Sequence, residues 1–341
     1  MGLLIRNGGN MILTKQMITQ EAGEDWTQSN KTNESWWSLC VTPTGRIIAG
    51  GDYAGIWYSD NNGISWTRSN KTDGTWKSLC ITSTGRIITG GNGNGIWYSD
   101  DNGVNWTQSN KTNKGWYALC ATPTGRIIAG GSAGIWYSDD NGISWTQTML
   151  NGGQWNGLCV TPTGRIIAGN TVNDNGIWYS DDNGVNWTRS YITDKNWVSL
   201  CATPTGRIIA GGDYGSAGIW YSDDNGISWT QSSITTGYWY SLCVTPTGRI
   251  IAGDGTNSGI WYSDDNGVNW TQSNKTNKGW TSLCVTSTGR VITGNVGDNG
   301  IWYSDPVIEL VAQVSKYLDQ NGAQEIITQF QAYCDSLVGG E

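Results

Sequence analysis

Residues 116–147 read WYALCATPTGRIIAGGSAGIWYSDDNGISWTQ, and close copies of this stretch recur seven times between residues 26 and 305. One Cys in each copy lies 40, 40, 39, 42, 42 and 41 residues before its counterpart in the next copy. A repeat of this length forms one small structural unit, which buries its apolar face only by stacking on its neighbours. The repeats therefore predict one domain of stacked units, and not the two ordinary domains that a chain of 341 residues suggests.

Each copy contains four short segments with the alternation and composition of β-strands. In the quoted copy these are Trp116–Thr122, Arg126–Ala129, Gly134–Ser138 and Trp145–Gln147, with Pro and Gly in the first turn. Four-stranded sheets that repeat at this spacing are typical of a propeller, in which the sheets stack around a central channel. We predict an all-β fold, a seven-bladed β-propeller of four-stranded blades.

The two ends of the repeat region complement each other. Gly300–Asp305 supplies a seventh third strand, Pro306 ends that unit before its fourth strand, and Trp26-Thr27-Gln28 supplies the missing strand at the N-terminal end. We predict that Trp26–Ser29 pairs with Gly300–Ser304, because a closed ring leaves no open sheet edge. The expected domains are a lead-in (1–18), the propeller (19–305) and a C-terminal segment (306–341).

The segment Ser99–Trp106 resembles the S-x-D-x-G-x-x-W Asp-box of sialidase-type (BNR) repeats, which implies a propeller of the Asp-box family. An Asp side chain in such a hairpin accepts backbone N–H bonds, and Gly supplies a positive φ. We interpret the box residues as structural and not as calcium ligands, because no distal bidentate Glu follows. These residues are Asn61, Asp101, Asp140, Asp182, Asp224 and Asp265.

The copies differ from one another chiefly in certain connections and at the residue that follows the first-strand Trp. The turn between the first and second strands and the box turn hardly vary, whereas the loop between the second and third strands and the loop between blades vary in length and sequence. In an up-and-down blade these two variable loops lie on one side, which we call the variable face; the opposite side is the constant face. Loops on a rigid scaffold commonly carry recognition, although neutral drift in solvent-exposed loops would give the same variation. The ligand-face candidates are Trp37, Tyr53, Lys77, Tyr117, Asn156, Tyr191, Tyr214, Tyr238 and Tyr240.

Composition excludes several classes of partner. The net charge is −8 without a basic cluster, which argues against nucleic acid, and no apolar run reaches the roughly 20 residues that span a bilayer. The repeated Cys occur once per copy and the chain has no His, so we expect buried free thiols and neither a metal site nor a cofactor. Met1–Gln20 also lacks the features of a signal peptide. We expect synthesis in a reducing cytosol, with a virion as one destination.

The resemblance to sialidase-type repeats raises glycoside hydrolysis as a possible activity. Seven of the ten Arg occupy one repeated position, and Glu34 is the sole Glu between residues 26 and 305. A glycosidase needs dissimilar residues that converge, including a tuned pair of carboxyl groups. We therefore expect no enzyme activity.

The C-terminal segment differs in composition from the repeats. Residues 307–320 and 323–338 space their apolar residues as two amphipathic helices around Asn321-Gly322. Lys316–Gly322 and Gln329–Asp335 resemble helical segments of bacteriophage tail and baseplate-associated proteins, which implies attachment to a virion partner or homo-oligomerisation.

Three functions follow from these features. We favour a non-enzymatic recognition propeller that binds a surface glycan or protein through its variable face, as a phage receptor-binding or tail-associated protein would. The first alternative is a structural or assembly component that has no ligand. A sialidase-like glycosidase is the less favoured alternative.

Overall fold

A computed structural model describes residues 22–172, 176–192, 195–213, 218–256, 258–276, 278–297 and 300–305, together with the backbone of two short N-terminal strands. These strands, Leu3–Ile5 and Met11–Leu13, form an antiparallel pair. Gly23–Ser304 forms a separate compact unit, which is described here by itself. The predicted helices of the C-terminal segment and the candidate Tyr214 lie outside the described residues.

The described repeats form seven four-stranded antiparallel sheets, here named blades 1 to 7. Blades 1 to 3 consist of Trp36–Val41, Ile47–Gly51, Ile56–Ser59 and Thr67–Arg68; Trp76–Ile81, Ile87–Gly91, Gly95–Ser99 and Thr107–Gln108; and Trp116–Ala121, Ile127–Gly131, Gly134–Ser138 and Thr146–Gln147. Blades 4 and 5 consist of Trp155–Val160, Ile166–Asn170, Ile177–Ser180 and Thr188–Arg189; and Trp197–Ala202, Ile208–Gly212, Ile219–Ser222 and Thr230–Gln231. Blades 6 and 7 consist of Trp239–Val244, Ile250–Asp254, Ile260–Ser263 and Thr271–Gln272; and Gly279–Val285, Val291–Val296, Ile301–Ser304 and Thr27–Gln28. The predicted seven-bladed propeller is confirmed, with strand ends within two residues of those predicted in the quoted copy.

Blade 7 contains both ends of the repeat region. Its first three strands come from the C-terminal side, and Thr27–Gln28 adds the fourth strand by pairing Thr27 with Tyr303 and Gln28 with Trp302. The predicted closure is therefore confirmed. The sheet edge that an open array would leave at each end is paired within the ring.

The apolar core lies between adjacent blades. Trp36 and Ile47 of blade 1 are fully buried in one cluster with Ile292 and Ile301 of blade 7. Trp36 also meets Trp57 edge to face, with ring centroids 6.4 Å apart and planes at 85°. Equivalent Trp pairs occur in the other blades, so each blade is stabilised by the aromatic and aliphatic side chains of its neighbour.

Close approach of the blades requires Gly in the second strand. A Cβ atom on Gly50 would lie 2.7 Å from Cβ of Trp76 in blade 2, a contact that side chains do not tolerate. Equivalent Gly residues of other blades face the next blade's Trp in the same way. The Gly residues of the repeat thus set the spacing between the sheets.

Backbone hydrogen bonds show which connections share a face. The amide of Asp52, in the second loop of blade 1, donates to the Ser35 carbonyl in the loop that enters the blade, at 2.8 Å. On the other side, Asn102 Nδ2 of a box turn donates to Thr44 Oγ1 in the first turn of the previous blade at 3.0 Å. The first turns of all seven blades surround a channel opening of about 940 Å³ on this constant face.

Candidate functional site on the variable face

The Asp-box turns on the constant face are held by hydrogen bonds of one kind. Asp101 Oδ1 accepts from the amides of Asn105 and Val104 at 2.8 and 3.1 Å and from the Ser99 hydroxyl at 2.9 Å. Partial burial of the carboxyl group favours its neutral form, but these hydrogen bonds outweigh that effect and lower the pKa of Asp101. Asn102 and Gly103 both have positive φ, 61° and 90°, of which the sequence predicted the Gly.

The repeated Arg side chains connect each blade to the next. Arg46 donates from Nε and Nη2 to the Asp60 carboxylate at 2.6 and 2.9 Å and stacks on Tyr58 with Cζ 4.1 Å from the ring centroid. Its Nη1 donates to the Asn102 carbonyl in the box of blade 2 at 3.0 Å. Arg86, Arg126, Arg165 and Arg207 make the same set of contacts. These guanidinium groups are engaged in holding blades together.

The variable face carries a ring of irregular positions around the channel. In every blade the residue after the first-strand Trp lies at a β-bulge, where the pairing register shifts. A bulge leaves its extra residue unpaired and redirects its side chain. We call these seven residues the channel rim: Trp37, Lys77, Tyr117, Asn156, Val198, Tyr240 and Thr281.

Two rim residues of neighbouring blades are in direct contact. Lys77 Nζ of blade 2 lies 2.9 Å from the ring centroid of Trp37 in blade 1. Burial lowers the pKa of Lys77 to about 8, and the nearby Asp52 carboxylate opposes this effect. Among the described residues, Trp37 Nε1 and Asn156 Oδ1 are buried and have no hydrogen-bond partner. A buried donor or acceptor without a partner is costly to a fold and common at binding sites.

The remaining candidates do not form one cluster. Tyr240 of the rim approaches Asp213 of blade 5 with its hydroxyl 3.5 Å from Oδ1, and the Tyr238 amide donates to Asp254 Oδ2 at 2.9 Å. Tyr53 is 82% exposed with a φ of 55° in the second loop of blade 1. Tyr191 is equally exposed, but its amide donates to the Ile227 carbonyl beside the box turn of blade 5, which places it at the outer edge.

Sequence reasoning missed some members of the site. Val198 and Thr281 complete the rim but are buried, and Thr281 Oγ1 donates to the Trp36 carbonyl of blade 1 at 2.7 Å. Asp52 accepts from Thr75 Oγ1 at 2.6 Å and lies near Lys77. The signal for the rim was present in the sequence as the most variable position of the first strand.

The described residues also limit what the site holds. In this part of the chain no three His, Cys, Asp or Glu side chains come together as metal ligands. Within the same residues, none of the secondary structure is a helix with the length and apolar character that membrane crossing requires.

Comparison with known proteins matches the repeat geometry. A family profile described as the BNR/Asp-box repeat matches residues 136–147, 178–189 and 220–231, which cover the third strand, box and fourth strand of blades 3, 4 and 5. Among curated proteins, none shows significant sequence similarity to this chain.

Several solved structures share the fold. Virginiamycin B lyase from Staphylococcus aureus is 12% identical with a TM-score of 0.68, over 83% of this chain and 99% of that chain. YCF48 bound to D1 peptide is 16% identical with a TM-score of 0.65, over 83% and 94%. The Niastella koreensis GH74 enzyme is 18% identical with a TM-score of 0.63, over 80% of this chain and 43% of that chain. These similarities show the propeller fold, and they include enzymes as well as a peptide complex. The chain is thus a seven-bladed β-propeller that carries BNR/Asp-box repeats.

Proposed function

We propose that this propeller recognises a glycan on a surface through its variable face, with the channel rim as the centre of the binding site. The observation that supports the proposal best is the position of the differences between blades. Seven repeats that share nearly all structural residues place Trp, Lys, Tyr, Asn, Val, Tyr and Thr at one bulged position. Aromatic rings and adaptable polar groups are the side chains that recognition surfaces favour.

The chemistry of the rim suits a saccharide. Trp37, Tyr117 and Tyr240 offer aromatic surface, each being partly buried and partly exposed. Trp37 Nε1 and Asn156 Oδ1 are shielded and lack partners within the protein, and rotation of these side chains would offer a donor and an acceptor to hydroxyl groups. A ligand that completes these bonds removes an existing cost, which favours binding.

We propose that binding occurs without catalysis. In the blades described, the box carboxylates accept hydrogen bonds within their own turns, and the repeated Arg side chains join blade to blade. Glu34, the sole Glu among residues 26–305, lies in a surface loop and pairs with Lys31 at 2.8 Å. General acid catalysis of glycoside hydrolysis needs a pair of carboxyl groups facing one bond. Asp52 and Asp213, the described carboxyl groups that lie near Lys77 and Tyr240 of the rim, belong to blades 1 and 5, and no described contact joins them.

A glycan array tests the proposal with two matched variants. The triple variant Trp37→Ala, Tyr117→Ala, Tyr240→Ala is expected to lose at least about tenfold in affinity for any glycan that the native protein retains, since each ring contributes about 1 kcal/mol or more. Ile143→Ser changes an exposed residue of a box turn on the constant face and should bind normally.

Equal binding by the native protein and the triple variant would exclude the rim as the site. A second triple variant, Tyr53→Ala, Tyr214→Ala, Tyr238→Ala, then distinguishes the outer loops from the rim. Both triple variants need melting curves to show that the propeller remains folded.

We further propose that residues 306–341 attach the propeller to a virion or to further copies of the chain. The support is the helical spacing of their apolar residues. Removing these residues should abolish incorporation into particles and leave glycan binding intact. If the isolated propeller binds no surface ligand at all, the structural or assembly alternative is correct.

A further inference from the structure

The loop that enters blade 3 repeats a sequence found once more in the ring. Residues 110–116 read NKTNKGW, and residues 274–280, which enter blade 7, read the same. Entry loops of different blades share one backbone frame, because the first-strand Trp donates from Nε1 to the carbonyl three residues earlier, as Trp116 does to Asn113 at 3.3 Å and Trp76 to Asp73 at 2.8 Å. Differences between these loops are therefore differences in the side chains displayed.

Equivalent Lys residues find different partners in different blades. Lys31 and Lys71, which enter blades 1 and 2, lie over Trp rings and pair with Glu34 at 2.8 Å and Asp73 at 2.7 Å. Lys111 of blade 3 lies over Trp136 with Nζ 3.6 Å from the ring centroid, and among the described residues it has no carboxylate partner. In blades 1 and 2 the protein itself supplies an anion that is missing beside Lys111.

In blade 3 a second Lys takes the position that Glu34 holds in blade 1. Lys114 holds the position of Glu34, and burial of Lys111 followed by repulsion from Lys114 lowers the pKa of Lys111. Two ammonium groups without an intervening anion are unfavourable to the fold. A bound anion would remove both the repulsion and the unpaired state.

The backbone at Lys114 is strained as well. Its φ is 84°, in the left-handed region that glycine prefers, and Gly74, Gly153 and Gly237 occupy the equivalent position in blades 2, 4 and 6. Non-Gly residues in this region cost stability and cluster at functional sites. A Lys here is thus unfavourable in both backbone conformation and charge.

The two loops whose backbone amides donate to the blade 3 entry loop contain no acidic residue. They are the second loop of blade 2, where the Gly93 amide donates to the Lys114 carbonyl at 3.2 Å, and the second loop of blade 3, where the Ser132 amide donates to the Gly115 carbonyl at 3.0 Å. These loops read Asn92-Gly93-Asn94 and Ser132-Ala133. The identical loop of blade 7 shows the same arrangement: Lys275 Nζ lies 3.2 Å from the ring centroid of Trp302, and Lys278 has a φ of 81°. Blades 1 and 2, where Glu34 and Asp73 pair with the Lys over the ring, therefore give the contrast with blade 3.

We propose that Lys111 and Lys114 of blade 3 bind an oxyanion of an acidic polysaccharide, so that the glycan read by the variable face carries phosphate, sulfate or carboxylate groups. The Lys111 ammonium over the Trp136 ring and the second ammonium of Lys114, three residues further along the loop, would bind such a group by charge-assisted hydrogen bonds, while the ring packs against the sugar. The inference rests on the proposed function, because it names the chemistry of a ligand on the same face.

Binding to four polymers tests this proposal: dextran sulfate, poly(glycerol phosphate), polygalacturonate and neutral dextran. The variant Lys111→Gln, Lys114→Gln should lose at least about tenfold in affinity for the acidic polymer that binds best, and its binding should depend less on salt. The control Lys31→Gln, Lys71→Gln removes the same amount of charge from the equivalent Lys residues of blades 1 and 2, which already pair with Glu34 and Asp73, and it should stay within about twofold of the native protein. The three acidic probes distinguish sulfate, phosphate and carboxylate as the source of the anion.

The single variant Lys114→Gly separates binding from folding. It should weaken binding to the acidic polymer while the melting temperature stays equal or rises, because glycine relieves the positive φ. Equal losses in the Lys111/Lys114 variant and the Lys31/Lys71 variant, or equal affinity for neutral and acidic dextrans, would overturn the proposal. Tighter binding to poly-glutamate than to every acidic polysaccharide would overturn the ligand class. Retained binding by the rim variant together with loss in the Lys variant would contradict the rim as the site, and not the anion site.

Discussion

The Gly23 amide donates a 2.7 Å hydrogen bond to the hydroxyl of Ser304, which lies 281 residues further along the chain. Within an uninterrupted box the same bond joins Gly63 to Ser59 at 2.9 Å. Trp26 Nε1 also donates to the Gly23 carbonyl at 3.1 Å, as box Trp residues do elsewhere. The seventh box is thus assembled from the two ends of the propeller.

Deleting residues 1–29 should lower the melting temperature sharply. The deletion removes the fourth strand of blade 7 and Trp26, which stacks on Trp280 at 6.5 Å. Trp26 is half-buried, and loss of its packing together with the strand should cost about 3–5 kcal/mol, or roughly 10 °C for a domain of this size. Differential scanning calorimetry measures the change, and deletion of residues 1–18 is the control that keeps the strand. An unchanged melting curve for the longer deletion would contradict the role of this closure.

The box carboxylate should tolerate an amide better than a methyl group. Asn61 of blade 1 accepts the Ser65 amide on Oδ1 at 2.8 Å and donates from Nδ2 to the Ser65 hydroxyl at 2.7 Å. We expect Asp140→Asn in blade 3, where Ser144 holds the same place, to cost under about 1 kcal/mol and Asp140→Ala about 1–3 kcal/mol. Urea denaturation compares the two, and equal costs would show that the hydrogen bonds contribute little.

Acid should destabilise the propeller through its boxes. Hydrogen bonds outweigh the effect of partial burial and lower the pKa of Asp101, Asp140, Asp182, Asp224 and Asp265. A folded pKa below the unfolded value of about 3.9 gives stability that is present above that pH and lost as pH falls through the folded pKa. Melting temperatures between pH 6 and 2 should therefore decline below about pH 4. Replacing all five Asp residues with Asn should flatten this decline in melting temperature. If the melting temperature of that variant still falls equally below about pH 4, other carboxyl groups cause the decline.

The buried charge of Lys77 should reduce the stability of the fold. Its folded pKa of about 8 lies below the unfolded value of about 10.4, so the unfolded state binds more protons between these values and stability rises with pH across that window. Lys77→Met should raise the melting temperature at pH 7, and the gain should shrink between about pH 8 and 10.5. A pH-independent effect would show that packing, and not charge, causes the change.

The repeated thiols should be unreactive in the native protein. Burial raises the pKa of Cys40, Cys120 and Cys201 to about 12, and it raises the pKa of Cys80, Cys159 and Cys284 well above the usual value. Thiolate is the reactive form, so Ellman's reagent at pH 8 should label these residues only after unfolding. The variant Cys334→Ser removes the thiol outside the repeats and leaves a native count near zero. Rapid labelling of that variant would contradict the burial of the ring of thiols.

The sequence predicted the fold well because the repeats agree with one another. Period, turn residues and the incomplete units at the two ends were sufficient to predict the blades and the pairing of Thr27–Gln28 with Ile301–Ser304. The bulge at Trp37 could not be predicted, because a shift of pairing register depends on how the first strands pack around the channel. The pairing of Arg46 with Asp60 and Asn102 depends in the same way on contacts between blades.

The candidate site was predicted less completely. Variation among the copies pointed to Trp37 and Lys77, and the structure brings them into contact. Variation among the copies could not indicate that Tyr191 lies beside a box turn or that Thr281 is buried against the next blade, because both positions depend on neighbouring loops. The sequence shows Lys114 in the loop that enters blade 3, but its left-handed backbone conformation could not be predicted.

The repeated Arg side chain equivalent to Arg46 donates a hydrogen bond to the box turn of the following blade. In blade 7, Arg290 donates to the Asn62 carbonyl of blade 1 at 2.9 Å. Every described contact of this kind therefore runs in one direction around the ring, without a first or last member. The ends of the propeller meet where Gly23 contacts Ser304, a gap that three residues span in the box from Ser59 to Gly63. A three-residue linker between Ser304 and Gly23 would allow new termini to be opened in any loop of the variable face. The resulting circular permutants should keep all of the Arg contacts between blades. The stability of the ring should therefore depend on the repeated contacts between blades and not on which loop carries the chain ends.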